Sequence, residues 1–128
     1  MSQQKPYEKE WLDNGILSYR FNSIGSETAQ EWYTDMMLTY EAQPPDGKVR
    51  ILIDLRAPAN MLSAEAMMRA RQLSSKFPDV VGRIAILIDP NENFKNLAMF
   101  LDRGLQDNLR ARKLFDDEAA AKAWLLEV

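Results

Sequence analysis

The sequence predicts an α/β domain built on a mixed, mostly parallel sheet, and three observations carry that prediction. First, two stretches say nearly the same thing: Val49-Arg50-Ile51-Leu52-Ile53-Asp54 and Arg83-Ile84-Ala85-Ile86-Leu87-Ile88-Asp89. Each is a run of β-branched and aliphatic residues that stops at an aspartate. Second, each run is followed by a loop and then by a segment with helical periodicity. Strands apolar on both faces are buried on both faces, as in a parallel sheet covered by helices. Third, 128 residues with 46% hydrophobic and 27% charged content fit one ordinary globular domain with its own core.

The elements follow in order. Residues 7 to 21 read as a β-hairpin, Tyr7 to Leu12 and Ile16 to Phe21, around Asn14-Gly15, whose two positions both tolerate φ > 0. Leu17, Tyr19 and Phe21 alternate with Ser18 and Arg20, so one face of the second strand is the more polar. Gly25-Ser26 opens a helix from Glu27 to Tyr40, with Ser26 as N-cap and Ala29, Tyr33, Met36, Met37 and Tyr40 as its inward stripe. Gln43-Pro44-Pro45-Asp46-Gly47 ends it and turns the chain into the first central strand.

After Asp54 a loop runs to Leu62, and Ser63 is the expected N-cap of a helix to Phe77. Leu62, Ala66, Ala70, Leu73 and Phe77 share one face at helical spacing. Pro78-Asp79 closes that helix, and the second central strand runs from Val81 to Ile88. Pro90-Asn91 leads into a third helix, Glu92 to Asp107, with Phe94, Leu97, Ala98, Leu101 and Leu105 as core stripe. A short strand, Arg110 to Phe115, comes next. Asp116 is read as the cap of a last helix, Asp117 to Leu126, with Ala119, Ala120, Ala123 and Trp124 facing in. The expected domain therefore has about five strands, an ordinary sheet size, an N-terminal hairpin and a helix in each of four places.

Composition excludes more chemistry than it suggests. The net charge is −3 and the pI about 5.0, which argues against a nucleic-acid binder needing a basic face. No apolar run approaches a membrane span. The N-terminal Met1-Ser2-Gln3-Gln4-Lys5-Pro6 lacks the apolar core of a signal peptide, so a cytoplasmic location is expected. The chain has no cysteine and no histidine. That removes thiol nucleophiles, thiolate metal sites, imidazole bases and Ser-His triads. Any chemistry would rest on carboxylates, lysine, tyrosine or an oxygen-bound Mg²⁺.

Asp54 and Asp89 are the sharpest candidates, because sites in open α/β sheets lie at the carboxyl ends of the strands. Neighbouring strands could bring the two carboxylates together to hold Mg²⁺ or share a proton. The favoured reading is that each accepts a hydrogen bond from its own turn. Arg56 could bind an anion or a partner carboxylate bidentately, and a solvated surface arginine is the plainer alternative. Ser63 reads first as a helix cap. Arg110, Arg112 and Lys113 form a basic run that would keep an edge strand from pairing with another chain. Trp32, Met68, Met99 and Phe100 fall off or at the margin of their helices' core stripes. They mark an interface or ligand groove, unless helix rotation returns them to the core.

Taken together, these residues resemble the SpoIIAA-like (STAS/SEC14-type) family of small bacterial proteins. The resemblance covers nearly the whole chain: the opening hairpin, the helix after Gly25-Ser26, the strand ending Ile53-Asp54-Leu55-Arg56, and the ending Leu114-Phe115-Asp116-Asp117-Glu118-Ala119-Ala120-Ala121-Lys122-Ala123-Trp124-Leu125. That ending is its most specific part. The resemblance implies a STAS-type fold and a non-enzymatic binding or regulatory module, without a cofactor, that acts on a protein partner or a small apolar ligand. In the family's anti-sigma-factor antagonists a serine pair within Asp-Ser-Ser-Gly is switched by phosphorylation. The matching stretch here is Leu62-Ser63-Ala64-Glu65, which keeps only Ser63, so a cap and not a switch is expected there. A homodimer through helix surfaces is expected from Trp32, Met68, Met99 and Phe100. The alternative is an Mg²⁺-dependent phosphoryl-transfer domain, receiver-like in architecture, using Asp54 or Asp89. A third reading is a structural subunit of a larger complex.

Overall fold

The computed structural model describes residues 7–12, 14–22, 26–43, 47–56, 64–89 and 109–127. Five strands and three helices stand among them: β1 (Tyr7–Trp11), β2 (Leu17–Phe21), α1 (Ser26–Glu41), β3 (Lys48–Asp54), α2 (Ala64–Lys76), β4 (Val81–Leu87), β5 (Arg110–Phe115) and α3 (Glu118–Leu126). The domain is α/β with one mixed sheet, as the two apolar runs predicted. Four helices were expected and three are described; the expected third, Glu92 to Asp107, lies outside the described residues.

The sheet order is the order of the sequence, β1-β2-β3-β4-β5. The hairpin pair β1–β2 is antiparallel, and every later pair is parallel. Right-handed crossovers that always step the same way lay their helices on the same face of a sheet. Accordingly α1 and α2 share one face, and their core joins Leu17, Tyr19 and Phe21 of β2 to Trp32, Met36 and Tyr40 of α1 and Ile51 and Ile84 below. Among the described residues no strand follows β5, and α3 covers the opposite face, where Ile16, Leu52, Ala85 and Leu87 meet Ala121 and Leu125.

The hairpin closes between Leu12 and Ile16, the strand ends expected from the sequence. Leu12 N–H donates to the Ile16 carbonyl at 2.9 Å and Gly15 N–H to the Leu12 carbonyl at 3.0 Å. That closes a three-residue loop, in which only the last position needs a left-handed backbone. Gly15 supplies it at φ 86°, and Asn14 Oδ1 steadies the exit by accepting from Ile16 N–H at 3.4 Å.

Helix rotation corrects several inward faces. On α1 the buried stripe is Ala29, Trp32, Met36 and Tyr40, at spacings of three, four and four. Trp32 is therefore a core residue, 8% exposed, with its ring edge-on to Phe21 at 6.3 Å, and not the interface residue expected. On α3 the expected Ala119, Ala120 and Ala123 are exposed, and Ala121 and Leu125 are buried. Asp117, not Asp116, caps α3 by accepting from Ala120 N–H at 2.9 Å. Alanine-rich helices carry a weak apolar signal, so one residue of phase moves the whole stripe.

Arg110 is a second correction of the same kind. The basic run predicts a charge guarding an edge strand, yet Arg110 is fully buried. Its guanidinium donates to the carbonyls of Phe77 and Val80, the latter at 2.7 Å, and to that of Ser74 at 3.4 Å. It also lies over the Tyr40 ring at 5.0 Å. A cation here satisfies carbonyls at and beyond the C-terminus of α2, which have no helical partner.

Gly82 of β4 is paired in register with Val49 of β3. Its φ is +157°, and a Cβ built on it would stand 2.1 Å from the Val49 carbonyl oxygen. Since that oxygen is backbone, the strand would have to move. Gly82→Ala is expected to cost about 2 kcal/mol, the range of overpacked and strained positions. Urea unfolding checks it, and an unchanged midpoint would contradict this account of the glycine.

Candidate functional site

The carboxyl ends of β2, β3 and β4 lie along one edge of the sheet, and Asp54 ends β3 there. The alternation of β3 sends Val49 and Ile51 into the α1/α2 core and Leu52 into the α3 core. Asp54 shares the parity of Leu52 and so points to the α3 side. It is 5% exposed. A carboxylate buried that far needs partners, and it has them.

Arg56 grips Asp54 with both ends of its fork: Nε donates to Oδ1 at 3.1 Å and Nη2 to Oδ2 at 3.0 Å. The Arg56 backbone N–H also donates to Oδ1, at 3.0 Å, which is the turn-capping bond expected of a strand-end aspartate. From β2, Arg20 brings Nε within 3.5 Å of Oδ2. Arg56 Nη2 reaches on to Glu118 Oε1 of α3 at 3.0 Å, and Glu118 Oε2 accepts from Lys122 Nζ at 3.0 Å. The result is a chain of alternating charge, Arg20–Asp54–Arg56–Glu118–Lys122, tying β2, the exit of β3 and α3 together.

The electrostatics follow from the contacts. Burial alone would raise the Asp54 pKa, but the side-chain and backbone hydrogen bonds of Arg56 and the charges of Arg56 and Arg20 outweigh it and hold it low. The bond to Asp54 holds the Arg56 guanidinium more firmly protonated still. The Lys122 hydrogen bond keeps Glu118 below the ordinary glutamate value. Asp54, Arg56 and Glu118 are thus all charged at neutral pH. Both Asp54 oxygens already accept from arginine, so the arrangement is suited to holding the edge rigid.

The other candidates scatter. Although β3 and β4 are neighbours, Asp54 pairs in register with Leu87, and Asp89 lies two residues further on. Asp89 is exposed and takes no part in the Asp54 chain. Met68 is exposed on α2, at 44%. Ser63, Met99 and Phe100 lie outside the described residues. Among the described residues no group of three or more Asp, Glu, Cys or His side chains could hold a metal ion.

Three members of the Asp54 chain were absent from the candidates read from sequence: Arg20, Glu118 and Lys122. Glu118 and Lys122 carried a legible signal, an acid four residues before a base on a helix. Arg20 carried only its place on the polar face of the hairpin strand, which says nothing until β2 is known to pair with β3.

A second polar cluster fastens the hairpin to α1. Tyr19 O–H donates to Asp35 Oδ2 at 2.5 Å, and Lys9 Nζ donates to Oδ1 at 3.0 Å. Burial, and then the bond to Asp35, push the Tyr19 phenol far above its ordinary pKa. That phenol stays protonated and serves as a donor, not a base.

No family model matches the chain, and neither a curated protein nor a solved structure matches it.

Proposed function

We propose that this chain is a non-enzymatic binding or regulatory module of the SpoIIAA-like kind, acting on a protein partner or a small apolar ligand. The observation that carries the reading is the saturation of Asp54. The strand-end carboxylate best placed for chemistry is held by both ends of the Arg56 fork and approached by Arg20. A phosphoryl acceptor or Mg²⁺ ligand would need an oxygen lone pair facing the open edge. Here those positions are directed into the protein and help to hold α3.

The residues behind the family resemblance play a matching part. Phe115 ends β5 and packs its ring 5.6 Å from Trp124. Asp117 caps α3, Glu118 meets Arg56, and Leu125 is fully buried. The Phe-Asp-Asp-Glu and Trp-Leu pieces are therefore what holds the last helix against the sheet. That supports a scaffold reading of the motif, with recognition left to surfaces the scaffold displays.

The test separates this reading from the phosphoryl-transfer alternative. The full chain is incubated with Mg²⁺ and a small acyl phosphate, and its mass is followed. No phosphate should be gained, and calorimetric titration with Mg²⁺ should be flat. Phosphate uptake lost in Asp54→Asn or Asp89→Asn would overturn the proposal. In parallel, the full chain as bait in a host lysate, and native mass spectrometry of the purified protein, should yield a discrete protein partner or a retained apolar molecule.

A further inference from the structure

The two helices that share a face of the sheet carry opposite charge. In α1 there are four acidic residues, Glu27, Glu31, Asp35 and Glu41, and no base. In α2 there are three bases, Arg69, Arg71 and Lys76, against the single acid Glu65. Part of this charge is engaged within the molecule, since Asp35 holds Lys9, Arg69 pairs with Glu65, and Arg71 too has an interaction of its own. The outward faces keep the asymmetry. Glu27, Glu31, Thr34, Leu38 and Glu41 are exposed on α1, at spacings of four, three, four and three that make one stripe. On α2 the exposed positions include Met68, Arg71, Ser75 and Lys76.

Each stripe also carries a large apolar residue in water: Leu38 is 61% exposed and Met68 44%. The helices are joined as one surface. Arg69 of α2 lies over the Tyr33 ring of α1 at 5.2 Å, so acidic and basic stripes are presented side by side at fixed spacing.

We infer that this two-helix face is a homodimer interface, in which α1 of each copy lies on α2 of the other. A two-fold interface uses the same patch on both subunits. An acidic stripe beside a basic one meets its own complement when the axis runs along the groove between the helices. Rotation about that axis carries each α1 over the partner's α2, acid against base, and covers Leu38 and Met68 twice over. A two-fold across the helices would lay α1 on α1, acid against acid, and is disfavoured by the same charges. The occupant is therefore a second copy in one orientation. This inference is independent of the binding-module reading.

The size of the face sets the strength. Sixteen residues at 1.5 Å rise and two helices about 10 Å wide give about 500 Å² in plan per copy. That is the low end of specific interfaces, so a salt-sensitive dimer of modest affinity is expected.

Sedimentation equilibrium of the full chain at about 100 μM, where micromolar dimers are populated, is compared at low and high salt. A dimer should form at low salt, with its dissociation constant rising at least about tenfold in high salt, in keeping with exposed charge pairs. Two charge-reversed variants decide the geometry: Glu31→Arg with Glu41→Arg, and Arg71→Glu with Lys76→Glu. All four sites are exposed, and circular dichroism should show both proteins folded. Each alone should be monomeric, since base then faces base, or acid faces acid. Mixed in equal amounts, they should recover a dimer, because both contacts of the heterodimer are again complementary. Monomer at all salt concentrations in the unaltered chain would overturn the inference and leave the face to a different protein. So would a dimer that survives either reversal, or a mixture that stays monomeric.

Discussion

Arg110→Ala is expected to be the most damaging single substitution considered, lowering the unfolding free energy by about 4 kcal/mol, in line with breaking a buried charged network. Three effects add. The Val80 carbonyl loses its guanidinium donor, and the Phe77 carbonyl keeps only the long bond from the Val80 N–H at 3.4 Å. An orphaned buried acceptor costs about 1 to 3 kcal/mol. The Tyr40 ring, itself edge-on to Phe77 at 5.4 Å, loses the cation over its face. A void remains where a long side chain had filled the space between β5 and the end of α2. Arg110→Lys separates charge from geometry. It keeps a cation but loses the planar fork that reaches several carbonyls at once, so it should recover less than half of the loss. Guanidinium unfolding of the three proteins measures this directly. An alanine variant within about 1 kcal/mol of the parent, the ordinary range for surface sites, would mean that the network is replaceable by solvent.

Arg110 also shows what the sequence withheld. Arg110, Arg112 and Lys113 look alike as letters, and a basic run on a terminal strand has an obvious solvent role. Only the pairing of Gly82 with Arg110 in β5 sets the phase, and phase decides that Arg110 turns toward α2. Period-two alternation fixes which residues share a face, but not which face is the inner one when both are partly covered. The same limit applied to Trp32, where an extra tryptophan on a helix with many apolar residues could be rotated in or out. By contrast, the central strands needed no phase, because Ile51, Leu52, Ile84, Ala85, Ile86 and Leu87 are buried on both faces. Those runs gave the α/β class and the parallel core correctly.

The candidate edge was half legible for a related reason. Asp54 and Arg56 are two residues apart, and their bond is local, so the chain itself displays both partners. Arg20 and Glu118 arrive from 34 and 62 positions away, by a register and a helix docking that no local pattern encodes. Asp89 had the same local signature as Asp54 and a different fate, since its place beyond the end of β4 leaves it in solvent.

Asp54→Asn is the second large effect expected, about 3 kcal/mol at neutral pH, the scale for removing one partner of a buried ion pair. An amide keeps the shape and one acceptor oxygen. It replaces the other oxygen with a donor that faces the guanidinium, and it leaves Arg56 and Arg20 without their shared anion. The pH dependence makes the cause testable. The folded-state pKa of Asp54 lies below its ordinary value of 3.8. A carboxylate depressed in the folded state binds fewer protons there than in the unfolded chain. Its contribution is therefore fully present above the unfolded value and is lost as pH falls through the folded one. The gap between the parent protein and Asp54→Asn should accordingly stay constant from about pH 7 to pH 5 and close progressively below about pH 4, where free aspartate begins to protonate. Glu118 is depressed in the same direction, by Lys122 first, and remains in both proteins, so its acid loss is common to them. Thermal melts of the two proteins across that range supply the measurement. A gap that persists undiminished at pH 2 would show that packing of the side chain, and not its charge, is what Asp54 contributes to the edge of the sheet.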